Sequence, residues 1–202
     1  MKKSLVFICL MSLLYCSCMW SGLGMSDSDE SHKVKIVRYD RVMDEYISLG
    51  SYSALHRMTT EYPQQTKVLI EDVLHIGNVF DPGIEHRLRV HFMDSVPQLL
   101  LEAVHEEFID MSDVEQQLQE AVEKFQDEHP GAPTPHFYTQ ISCLGQGVVV
   151  SDTLVGISLD MYLGTNHPLY HNIFTESQRR LMTRDHIASD AIQAYIDYHH
   201  IQ

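Results

Sequence analysis

The chain has 202 residues, with 28 acidic side chains against 14 basic ones and a formal net charge of −14. Such a surface repels nucleic acid and anionic headgroups, so nucleic acid is not an expected partner. The length suits one domain whose core needs no disulfide staples, and beyond the N-terminus no apolar run reaches the ~20 residues that span a bilayer.

Met1-Lys2-Lys3 is a basic start, and the apolar run from Leu5 to Leu14 follows it. This is a secretory signal rather than a transmembrane helix. Its end, Leu14-Tyr15-Cys16-Ser17-Cys18, resembles a bacterial lipobox, with small Ser17 just before Cys18. That pattern assigns a diacylglyceryl group to Cys18 and removes residues 1–17. The alternative is an ordinary cleaved signal with two incidental cysteines. The lipid is the only covalent group expected, and no cofactor is. Anchored in this way, the domain would sit in the cell envelope outside the cytoplasm, held to the inner or outer membrane. Residues 18–33 are rich in Ser, Asp and Gly and read as a flexible acidic tether, with 34–202 a single domain. With Cys18 lipidated, Cys143 has no partner for a disulfide and reads as a small buried thiol on a strand.

Val34–Tyr39 alternates and predicts a short strand. Asp40 is placed to cap a helix carrying Val42, Tyr46 and Leu49, which stops at Gly50. A second helix is predicted over 53–60 and a third over 65–76, the latter with Val68, Leu69, Val73 and Ile76 on one side. Residues 84–93 form a helix whose Arg87, Arg89, His86 and His91 make a local basic cluster. They read either as an anionic-ligand patch or as a solvated face pairing with nearby acids. Ser95 is a predicted N-cap ahead of Pro97, with Leu99, Leu100, Ala103, Val104 and Phe108 as the apolar face. Ser112-Asp113-Val114-Glu115 has the spacing of a capping box. Val114, Leu118, Ala121, Val122 and Phe125 then recur at helical intervals, with Glu115, Glu120 and Glu123 on the wet side.

The second half turns to strands at 136–143, 148–150 and 154–159, which predicts a small, mostly antiparallel sheet flanked by helices. A helix capped at Thr175 and a terminal one with Ile187, Ala191, Tyr195 and Tyr198 on one face complete an α+β fold. The run Leu154–Gly164 is the pivot. An apolar strand leaves the core and delivers Asp160, Tyr162 and Gly164 just before turn residues Thr165-Asn166-His167-Pro168. No general base or nucleophile accompanies Asp160, so no catalytic residue is assigned. Asp160, Tyr162 and Gly164 read as a structural corner, with Asp160 bracing the Thr165–Tyr170 turn. Tyr162, His167 and Tyr170 at a loop mouth fit either a glycan- or peptide-binding module or a loop packed on its own core.

Several of these segments resemble the gliding-motility lipoprotein B family of Bacteroidetes. They are the lipobox, Glu61-Tyr62-Pro63, Pro135–Ser142, Ile157–Gly164 with His167-Pro168-Leu169-Tyr170, and Met182-Thr183-Arg184-Asp185-His186-Ile187. The resemblance spans 34–198 and implies a membrane-anchored, non-catalytic accessory or scaffolding lipoprotein that works with other envelope proteins in motility or secretion. Family members extend further, so it also implies a shortened member. The order of elements is similar, more weakly, to zincin peptidases, which implies the alternative of a divergent metal-dependent hydrolase. In it, His186 and Asp190, four apart on one helix face, would be the metal ligands. The glutamate base of His-Glu-x-x-His is missing between them.

Overall fold

The computed structural model describes residues 33–201. The predicted signal, the predicted lipidation site Cys18 and the segment up to residue 32 that the sequence reads as a tether lie outside them. Among the described residues the fold is α+β, with eight α-helices and one three-stranded sheet.

The helical half follows local chemistry. Helix α1 (Tyr39–Leu49) ends at Gly50, whose left-handed backbone lets its N–H reach the Tyr46 carbonyl. The Ser51 hydroxyl caps α2 (Tyr52–Thr60) by accepting from Ala54 N–H. Pro63 opens α3 (Pro63–Lys67), which runs directly into a π turn, Val68–Val73. The wider turn sends three consecutive residues, Val68, Leu69 and Ile70, into the core together with Val73. Helix α4 (Ile84–His91), α5 (Ser95–Glu107) and α6 (Ser112–Glu128) follow.

Several predicted details differ. Val34–Tyr39 is not a strand: only Val37 bridges, in parallel, to Tyr138. The N–H groups of Val34 and Ile36 are taken instead by the side chains of Gln119 and Glu115 on α6. Glu115 is therefore neither on the wet side nor part of a capping box. The Asp110 carboxylate takes the Ser112 N–H in its place. Asp94, not Ser95, stands at the N-cap of α5. Asp40 is not a cap but a buried acid, gripped by Nε and Nη2 of Arg38 and by the Thr139 hydroxyl. Leu49, Leu99 and Tyr198, assigned to apolar faces, are exposed, and Leu101 replaces Leu99 on the inner side of α5.

The sheet comprises β1 (His136–Gln140), β2 (Val148–Ser151) and β3 (Leu154–Ser158), in the order β1-β3-β2. It is mixed. β2 and β3 form an antiparallel hairpin, while β3 inserts between β2 and β1 and runs parallel to β1. The hairpin needs Asp152 in the left-handed region, at φ 54°. At the sheet centre Gly156 is required by close approach, because a Cβ there would lie 2.5 Å from the Tyr138 ring. Short α7 (Glu176–Arg179), capped by a Thr175–Gln178 box, leads to a 3-10 turn, Arg184–His186, and then to α8 (Ile187–His199). Helix α8 packs on β2, β3 and α6, and α1 lies against β1. Aromatic edges lock these layers together: Tyr39 meets Tyr62 and Tyr138, and Phe125 meets Tyr195 at 5.7 Å.

A buried polar corner as the candidate functional site

Because β1 and β3 are parallel, both leave the sheet on the same side, where α/β folds commonly place their sites. β1 runs into Ile141-Ser142-Cys143-Leu144, and β3 into a 3-10 turn, Leu159–Met161. Asp160 on that turn is fully buried. Its carboxylate accepts the N–H of Ser142 at 2.8 Å and of Leu144 at 2.6 Å, with the Ser142 hydroxyl at 3.3 Å. Cys143 and Leu144 sit in the left-handed region, at φ 56° and 65°. The chain curls there so that two N–H groups converge on one carboxylate, a backbone nest. Burial pushes the Asp160 pKa up, while the Leu144 and Ser142 N–H groups pull it down.

Asp160 therefore braces the loop after β1, not the Thr165–Tyr170 turn through its side chain. That turn is tied to it by the backbone. The Tyr170 hydroxyl donates to the Asp160 carbonyl at 2.6 Å and accepts the Leu163 N–H at 2.9 Å. Tyr162 donates its hydroxyl to Asp190 on α8, at 3.0 Å. Burial and then the Asp190 charge raise its pKa, so the phenol stays protonated. Gly164, at φ 100°, gives its N–H to the Met182 carbonyl. Tyr162 and Tyr170 are buried, so they offer no aromatic platform at a loop mouth. The His167 ring lies 5.1 Å from that of Tyr170, and burial lowers its pKa toward the neutral form.

His186 and Asp190 sit at the start of α8 and turn to different partners: His186 Nδ1 lies 2.8 Å from the Thr183 hydroxyl, and Asp190 holds Tyr162. Among the described residues no group of three or more His, Cys, Asp or Glu side chains is placed to hold a metal ion. Cys143 is on a loop rather than a strand and is half-buried. Burial, with Asp160 nearby, pushes its thiol up to about 12, far from a reactive thiolate.

A second polar assembly went unread in the sequence. Arg184 forks onto the Asp113 carboxylate and also donates to the carbonyls of Glu107 and Asp110. Arg38 and Arg41 both donate to the Phe108 carbonyl. Three guanidinium groups thus close on the carboxyl end of α5, where a cation is favoured by unpaired carbonyls. Within α4, Arg87 donates to the Ile76 carbonyl and meets Asp81, and Arg89 lies over the Tyr46 ring, which is a paired, solvated face.

The Pro135–Ser142, Ile157–Gly164 and Met182–Ile187 segments that carry the family likeness are those that build the corner and the arginine clasp. No curated protein and no solved structure matches the chain. The family model described as gliding motility protein GldB matches residues 25–202, and the chain belongs to that family.

Proposed function

We propose that the protein is an accessory or scaffolding lipoprotein of the cell envelope, held to a membrane by a lipid on Cys18 and acting through contacts with other envelope proteins rather than through catalysis. One observation carries the non-catalytic part. The polar groups that chemistry would need at the strand exits are engaged inside the fold: Asp160 with two N–H groups, Tyr162 with Asp190, His186 with Thr183. A general acid or base must keep a face open to substrate, and a saturated buried carboxylate does not. No helix among the described residues is long and apolar enough to cross a membrane, so attachment by a lipid fits this domain.

Metabolic labelling with a palmitate analogue tests the anchor. Label should enter the wild-type chain, vanish in Cys18→Ala, and move with the membrane fraction only in the wild type. Unlabelled, freely released protein in both forms would overturn the anchored reading.

A further inference from the structure

The helical half carries a concavity that the corner does not use. Helix α2, the π turn and the loop leading to α4 enclose an apolar pocket of about 360 Å³, within the range of ligand sites. Leu55, Met58, Ile70, Ile84 and Leu88 line it, and Val79 closes one side. The π turn is what brings Ile70 inward, and such turns recur at functional sites. The walls are pinned. The Glu71 carboxylate accepts the Val79 N–H at 2.9 Å, Arg87 donates to the Ile76 carbonyl, and the Thr66 hydroxyl donates to the Met58 carbonyl. A preformed pocket costs little reorganisation on binding.

The rim adds two features. Tyr52, 81% exposed, borders the pocket, and Phe80, 87% exposed, stands beside it next to Val79. Glu85 gives the mouth an acidic side, next to the Asp81 carboxylate that Arg87 already pairs. A small molecule would leave these aromatics uncovered, and the acidic rim repels anionic lipid.

We infer that this pocket docks a segment of a partner protein that inserts one or two large apolar side chains and sets a lysine or arginine against Glu85. The inference rests on the accessory reading above and names its contact site. Buried aromatic or aliphatic anchors supply the affinity, and the flanking charge selects the partner.

The test titrates the full chain against two fluorescein-labelled peptides, one with Lys-Leu-Phe-Lys repeated three times and one with Glu-Leu-Phe-Glu repeated three times, read by anisotropy. Thr59 and Glu85 are exposed, so Thr59→Trp, which fills the mouth, and Glu85→Lys, which reverses the rim, should melt like the wild type. The expected result is saturable binding of the lysine peptide, weakened about tenfold by either substitution and by exchange for the glutamate peptide. Absence of saturable binding, equal binding of the two peptides, or indifference to Thr59→Trp would overturn the inference. Failed titrations with intact Cys18 labelling remove the pocket alone. Lost labelling removes the anchored reading and leaves the titrations interpretable.

Discussion

Asp160 joins two strand exits by one side chain. Removing its carboxylate in Asp160→Ala strands the N–H groups of Ser142 and Leu144 in a buried place. Each unpaired buried donor costs ~1–3 kcal/mol, so the variant should lose about 3 kcal/mol, read as a lower denaturant midpoint at unchanged slope. An unaltered midpoint would remove Asp160 from the account of the fold. Gly156 makes the matching steric prediction. Gly156→Ala sets a methyl group against the Tyr138 ring, which is itself wedged between strand and helix. It should cost about 1–3 kcal/mol by overpacking, with the far-UV spectrum preserved. The sequence singles out Asp160 as the acid that an apolar strand delivers at its exit. Its partner was not readable there. The nest at Cys143 and Leu144 needs positive φ at two non-glycine residues, which no propensity favours.

Among the elements, α5 and α6 show how side chains from afar settle what local signals leave open. The carboxyl end of α5 has no glycine cap and relies on Arg38, Arg41 and Arg184. Arg184→Gln should therefore lower the melting temperature and do so in a pH-dependent way. Hydrogen bonding to Arg184 holds the Asp113 carboxyl below its ordinary value near 3.8. An acid whose folded pKa is depressed contributes stability that is present above the unfolded value and fades as pH falls through the folded one. Denaturant midpoints taken from about pH 6 down to about pH 3 should fall more gently in Arg184→Gln than in the wild type. Parallel curves would show that the pair contributes nothing. The titration of Asp160 carries the opposite sign: its raised pKa makes ionisation a cost to the folded state, so that titration favours folding below about 3.8 and disfavours it as pH rises, whatever its hydrogen bonds contribute. Glu115 makes a local prediction. Glu115→Ala frees the Ile36 N–H, so hydrogen exchange at Ile36 should quicken while α6 itself stays protected. The helix spans were readable because Gly50, Ser51, Pro63 and the apolar periodicity act within a few residues. The capping box at Ser112 failed because Glu115 and Asp110 found competing partners, one of them 79 residues away.

For the whole molecule, the helical half, small sheet and closing helices follow from patterning, and the family from segments that prove to be structural joints. The parallel pairing of β1 with β3 does not follow, because the sequence records strand order along the chain and not the insertion of β3 between its predecessors. The same limit hid the convergence of Arg38 and Arg41 with Arg184, which is far from them in sequence and meets them only after folding. On the proposed function, the corner's polar groups hold a docking lipoprotein together and perform no chemistry. The most direct test replaces His186 by Gln and Asp190 by Asn in a cell that depends on the protein for motility or secretion. Abundance, melting temperature and function are then measured on the same variants. Function should track the amount of folded protein, with His186→Gln near wild type and Asp190→Asn reduced only as far as its stability falls. A variant with wild-type abundance and melting temperature but no function would contradict the claim.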